Sequence, residues 1–167
     1  VFGIATTELT SLMGRRTLYC SKKANSQYSL FEESINESGN IFYSRFNHSW
    51  LNSRCKYCGA PQDVYNRNDE LETYAYPFIH KDDPNLFFDM KFDVVIGNPP
   101  YQISDSGFGK SAKPIYNRFI EQAKKLNPRH LLMIIPSRWY AGGKGLDEFR
   151  NEMLNDRRIK KIVDYPE

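Results

Sequence analysis

Two groups of residues in this chain have types and spacings that could do chemistry. The first is Asn98-Pro99-Pro100-Tyr101. Its prolines have no N–H and stiffen the backbone, while their carbonyls remain acceptors. Asn98 adds a side-chain carbonyl oxygen, and Tyr101 a flat aromatic face. Gly97, just before them, lets the chain turn closely. The apolar run 92–97 ends at this point. In open α/β sheets, ligands bind beyond the carboxyl ends of the strands. A plain strand-ending turn would use much the same residues.

The second group centres on Cys55-Lys56-Tyr57-Cys58-Gly59. A Cys-x-x-Cys knuckle supplies half of a tetrahedral zinc site. His48 and Cys20 would complete a set of three cysteines and one histidine. Four protein ligands leave no open position, so such a zinc is structural. The competing reading is a pair of reduced thiols, with Cys20 a buried apolar residue of the first helix.

Periodicity indicates the elements that position these groups. Residues 1–5 read as a short buried strand. Thr6 or Thr7 then caps a helix with Leu9, Leu12, Met13 and Arg16 at helical spacing, running towards Leu18 or Cys20. Residues 40–43 suggest a short strand inside a Ser- and Asn-rich stretch with scattered aromatics. Residues 74–80 read as extended, although Pro77 sits awkwardly in a central strand. The run 92–97 predicts a strand buried on both faces. After a Gly/Ser loop at 103–113, residues 115–126 predict an amphipathic helix with Ile115, Phe119, Ile120 and Ala123 inward. Residues 130–136 predict a second buried strand. A glycine loop, a helix at 147–154 and a third strand at 159–164 follow. This alternation implies an α/β fold with a parallel sheet and helices on both faces. The reading divides the chain into a core at 1–20 and 73–167 and an insertion at 21–72 with its own small core.

Composition bounds the partners. The chain has 167 residues, room for about one domain. Both ends look cut, since the chain opens on Val1 inside an apolar run and closes just after another. No apolar run is long enough to cross a bilayer. Three cysteines, an odd number with one close pair, argue against a disulfide framework and favour a reducing, cytoplasmic setting. The net charge of +3 is too small to indicate a nucleic-acid partner by itself. Its distribution says more. Residues 61–90 hold seven acids against two bases, and residues 91–167 hold fourteen bases against nine acids. The basic C-terminal part could face a phosphate backbone, or be a solvated mixed-charge surface.

Ile96-Gly97-Asn98-Pro99-Pro100-Tyr101-Gln102 resembles the N6-adenine methyltransferases, whose hallmark is Asn, Asp or Ser, then Pro-Pro, then an aromatic. It is most similar to the Eco57I-like restriction-modification methylases. Pro114-Ile115-Tyr116, Phe119-Ile120-Glu121, Met133-Ile134-Ile135-Pro136-Ser137-Arg138-Trp139 and the glycine loop follow at similar spacing. The resemblance covers residues 86–165 well and Val1 to Leu18 more weakly. It implies a Rossmann-like fold, S-adenosyl-L-methionine as cofactor, and double-stranded DNA with a flipped adenine as partner. Asn98 and the Pro99 carbonyl would hold the adenine amino group, Pro100 would stiffen the loop, and Tyr101 would stack on the base. Asn98 would also border the cofactor.

The pattern departs from the family in three places. Its glycine-rich cofactor loop would precede Val1. Ala5 stands where an acidic residue for the cofactor ribose is usual, which leaves Glu8 as a candidate. His80 stands where an acidic residue for the cofactor adenine is usual. Two further readings stay open. One is methylation of a glutamine amide or an RNA base by the same tetrapeptide. The other is a non-catalytic DNA-binding or scaffold piece held by zinc, with Arg54 and Lys56 beside the knuckle to touch DNA.

Overall fold

Thr7 begins the first well-defined helix, as its hydroxyl suggests. In the computed structural model, residues 1–31, 33–43, 47–65, 75–86, 88, 90–103 and 112–165 are described. Tyr74 of the expected extended segment and residues 104–111 of the expected loop lie outside them. The chain divides into two compact units, Val1–Asp82 and Asp83–Glu167.

In the first unit, β1 (Gly3–Ile4) leads into α1 (Glu8–Tyr19). The Thr7 hydroxyl accepts from the Thr10 N–H at 3.0 Å, and the Thr10 hydroxyl accepts from the Thr7 N–H at 3.0 Å. This reciprocal pair satisfies two amides that the helix itself leaves unbonded. Cys20 closes α1 in the left-handed conformation. β1 pairs in parallel with β2 (Ile41–Phe42), which comes from inside the segment expected as an insertion. The buried face of α1 is not its apolar one. Ser11, Arg15 and Tyr19 are buried, whereas Leu9 and Met13 are exposed. The reason is polar. Arg15 donates to the Ser38 hydroxyl at 2.8 Å and towards the Ile41 carbonyl at 3.4 Å. The Tyr19 hydroxyl accepts from the Asn40 N–H at 2.8 Å. Tyr19, Ala24 and Ile41 form a small core there.

Further along, β3 (Trp50–Leu51) and β4 (Arg54–Cys55) form a hairpin. Its two turn residues, Asn52 and Ser53, both have positive φ, at 51° and 60°. That matches the turn whose twist suits a two-residue hairpin. A single helical turn, α2 (Gln62–Tyr65), follows. The segment expected to be extended is instead a buried 3₁₀ turn, Tyr76–Ile79. Pro77 sits in its first turn, where a missing N–H does no harm.

The second unit carries β5 (Val94–Gly97) paired in parallel with β8 (His130–Met133). A short antiparallel pair, β6 (Gln102–Ile103) with β7 (Lys113–Pro114), lies between them in sequence. α3 (Tyr116–Lys125) buries Phe119, Ile120 and Ala123, as its periodicity predicts, and Ile115 is buried just ahead of it. α4 (Asp147–Asn155) buries Phe149. Tyr116, Ile120, Trp139, Leu146 and Phe149 make the core of this unit, with Met133, Ile135 and Met153 packed against it. Two expectations are corrected. β5 and β8 are not covered on both faces within the unit, since Val94, Ile96, Leu132 and Ile134 are exposed. Residues 159–164 form no strand. Beyond α4 the chain turns at 156–159, where the Ile159 N–H donates to the Asp156 carbonyl at 3.1 Å, and Ile162 and Val163 stay exposed. Apolar residues without a neighbouring strand do not become one.

Candidate functional site

The tetrapeptide 98–101 follows directly on β5. Backbone bonds fix it on both sides. The Ile134 N–H donates to the Gly97 carbonyl at 3.0 Å, extending the β5–β8 ladder to the point where the loop begins. The Ile115 N–H donates to the Tyr101 carbonyl at 3.0 Å, tying the end of the loop to the start of α3. Gly97 lies close to the flexible end of the Met133 side chain. A Cβ there would lie 2.8 Å from the Met133 sulfur on the paired strand. Pro99 is buried and Pro100 half-buried, so the prolines anchor the loop. Asn98 is exposed, and Tyr101 is 41% exposed. The loop therefore presents an amide oxygen and an aromatic ring on a stiff, twice-anchored backbone. An amide oxygen beside a ring suits a flat group bearing an N–H donor. Trp139, after β8, belongs to the core, with its ring 6.0 Å from that of Phe149, while Tyr140 beside it is exposed.

A separate group lies in the first unit. His48, Cys55, Cys58 and His80 bring four ligand atoms within 4.8 Å of one another. The Cys55 Sγ is 3.4 Å from the His80 Nε2. The Cys58 Sγ is 3.4 Å from the His48 Nδ1. Both cysteines and His80 are buried. Aromatic rings enclose the group. His48 packs at 5.0 Å on Trp50, 5.5 Å on Tyr65 and 5.8 Å on Tyr76, and Tyr57 lies 5.4 Å from His80.

Burial dominates the electrostatics here. It pushes the Cys58 thiol up to about 12, with the neighbouring Cys55 adding to this and an N–H···S bond from the Ala60 backbone opposing it. It brings His80 down to about 4, helped by the adjacent His48, and lowers His48 as well. Both imidazoles are thus neutral at neutral pH, the form that ligates metals.

Of the residues singled out by sequence, His48, Cys55 and Cys58 come together and Cys20 does not join them. Cys20 is exposed at the end of α1. The fourth place belongs to His80, which sequence reasoning put near a cofactor. The available signal was arithmetic: the chain has three histidines, and one of them closes an aromatic segment just after the knuckle. Glu8 is exposed at the first position of α1, after β1.

The loop stands at the end of a parallel strand in a unit of mixed strands and helices. The comparisons give the particular family. The model of the Eco57I restriction-modification methylases matches residues 1–167, and the chain belongs to that family. A protein of Mycoplasma pneumoniae, described as an uncharacterized adenine-specific methylase, is 36% identical over 186 aligned positions. The alignment takes in 97% of this chain and 44% of that relative, so the chain spans less than half of the relative's length. No solved structure matches significantly.

Proposed function

We propose that the protein to which this chain belongs transfers a methyl group to the N6 amino group of adenine in DNA, with Asn98-Pro99-Pro100-Tyr101 as the substrate-holding loop. The observation that carries the reading is the loop's anchorage between the Gly97 and Tyr101 carbonyls, with Asn98 and Tyr101 left accessible. The family and the adenine-specific relative support it. We further read the two parallel strand pairs as parts of a Rossmann-like sheet, and the family's role in restriction-modification as this protein's own.

The adenine amino nitrogen is a poor nucleophile because its lone pair is delocalised into the ring. The Asn98 side-chain oxygen and the Pro99 carbonyl would accept its two N–H bonds and favour a tetrahedral nitrogen. Those bonds strengthen as positive charge develops on nitrogen, so they stabilise the transition state more than the ground state. Tyr101 would stack on the base once it has left the duplex, offsetting lost base stacking. Pro99 and Pro100 hold the acceptors in place, which limits the entropy lost on binding. S-adenosyl-L-methionine, when bound, supplies an electrophilic methyl group. The donor chemistry of this loop fits that role on the substrate side, and Asn98 and Glu8 are the residues of this chain that we assign to the cofactor side.

The test is transfer of radiolabel from S-adenosyl-L-methionine by the full-length protein to double-stranded DNA, to RNA and to a glutamine-bearing protein. We expect label in DNA as N6-methyladenine, and a fall of about 100- to 1,000-fold in kcat for Asn98→Ala, as for loss of one preorganised transition-state contact. Label in RNA or protein alone overturns the substrate. No label anywhere overturns the enzyme and leaves a DNA-binding or scaffold role.

A further inference from the structure

We propose that His48, Cys55, Cys58 and His80 form a structural zinc site that fastens the 50–55 hairpin to the 76–79 turn. The donor set is the first argument. Two thiolates and two imidazoles in one compact group suit zinc better than magnesium or calcium, which take oxygen ligands. Geometry is the second. A tetrahedral zinc with bonds of about 2.3 Å to sulfur and about 2.0 Å to nitrogen sets sulfur–nitrogen edges of about 3.5 Å. The two such edges given by the structure are both 3.4 Å. The four ligand atoms lie within 4.8 Å of each other, so modest side-chain rotation completes the tetrahedron.

The backbone is built for the purpose. The hairpin brings Cys55 to the end of β4, and the Gly59 N–H donates back to the Cys55 carbonyl at 2.9 Å, turning the chain over between the two cysteines. Gly59 has φ of 74°, which a side chain would strain. This turn aims the Ala60 N–H at the Cys58 sulfur, a bond that would stabilise its thiolate. On the other side, the 3₁₀ turn ends with the His80 N–H donating to the Tyr76 carbonyl at 3.1 Å. That bond fixes where His80 leaves the backbone. Such backbone support of ligands is characteristic of metal sites.

Energetics give the site its reason. The elements it joins are two strands of two residues and turns of four. None of these is stable in isolation. The apolar residues buried in this region are Ala60, Ala75, Tyr76, Phe78 and Ile79, whose packing is non-directional and does not by itself fix the hairpin against the turn. A metal supplies the missing cross-link. Zinc binding to the neutral group would release two protons, one from each thiol. It would leave two Zn–S and two Zn–N bonds with no net charge at the centre. With all four positions filled by protein, the ion has no open site for catalysis.

The test is metal analysis of the full-length protein, purified without chelator from zinc-containing medium. Wild type should carry zinc, with His80→Ala holding about one equivalent less per chain and Cys20→Ser unchanged, as expected for one four-ligand site. To make the test independent of how His80→Ala folds, a second measurement uses the wild-type protein reconstituted with cobalt(II). A tetrahedral cobalt site with thiolate ligands gives intense visible bands and sulfur-to-metal charge transfer. Wild type without zinc overturns the proposal, as does a Cys55–Cys58 disulfide in protein alkylated at lysis. Zinc lost from Cys20→Ser but kept in His80→Ala overturns the ligand set.

Discussion

The two units hold themselves together by different means. Asp83–Glu167 has an ordinary core. Leu146 is 1% exposed and Phe149 2%, and Trp139, Tyr116 and Ile120 pack with them. Among the described residues, Val1–Asp82 has a small buried cluster of Tyr19, Ala24 and Ile41 and the buried turn Tyr76–Ile79, beside two polar groupings, Arg15 with Ser38 and the His48, Cys55, Cys58 and His80 group. Apolar area is worth roughly 25 cal/mol per Å², so the second unit can stand on burial. The first adds to its smaller apolar clusters specific polar partners, each of which must be placed correctly to contribute. The 98–101 loop grows from the second unit, where rigidity comes from packing.

This contrast can be broken most severely by metal removal. A strong chelator should expose amides at 47–65 and 75–82 to hydrogen exchange while those at 116–125 and 147–155 stay protected. Equal loss in both regions would mean that the units do not differ as described. The complementary change is Trp139→Ala. Its ring lies 4.6 Å from Tyr140 and 6.0 Å from Phe149 within the core. Truncation should cost about 3–5 kcal/mol, read from the denaturant midpoint of the second unit. Zinc content should not change.

The same contrast explains what was legible in the sequence. Where burial decides, pattern decides too. Phe119, Ile120 and Ala123 keep helical spacing and are buried, while the run 92–97 yields β5 but with Val94 and Ile96 exposed. Capping is local chemistry, so a threonine cap at 6 or 7 could be read from the sequence, and the structure selects Thr7. The failures fall where distant polar partners override local pattern. α1 turns Arg15 and Tyr19 inward because Ser38, Asn40 and Ile41 offer partners that no window around the helix contains. The 76–79 turn looks extended by composition, yet it is a 3₁₀ turn that delivers His80 to Cys55 across 25 residues of sequence. Spacing identified the knuckle, but the ligand expected to complete it with His48 was Cys20, where the structure brings His80. Residues 159–164 failed for the opposite reason: a strand needs an adjacent strand, and apolar residues alone do not specify one.

A smaller effect probes the local end of this argument. Thr7→Ala removes the hydroxyl that accepts from the Thr10 N–H and leaves the first turn of α1 short of a partner. Caps of this kind contribute about 1 kcal/mol. The loss should appear as faster exchange in the first turn of α1, with the metal group and the second unit unaffected. Fraying that reached the knuckle would show that the first unit is more cooperative than its separate polar contacts imply.

The smallest effect tests whether a polar contact also matters in the unit that burial dominates. Asp156 follows α4, where the helix presents its negative end and a carboxylate is unwelcome. Two cations offset this. Lys124 lies 3.0 Å from one Asp156 oxygen. The Arg158 side chain donates to both oxygens at 2.9 Å, and its backbone N–H to one of them at 3.1 Å. These bonds, those of Arg158 first and Lys124 next, hold the carboxyl well below its usual range. A group whose folded pKa is depressed stabilises the fold above its unfolded value and loses that contribution as pH falls. The window therefore opens below about pH 4, the ordinary value for an aspartate. The Arg158 side chain is exposed and its contacts are screened, so Asp156→Asn should cost at most about 1 kcal/mol at pH 7. That gap should narrow as the pH is lowered below the window's upper edge, and narrow also with added salt. A gap constant across pH and salt would assign the contribution to shape and hydrogen bonding. The link between the end of α3 and the turn after α4 would then be a packing contact like the rest of its unit.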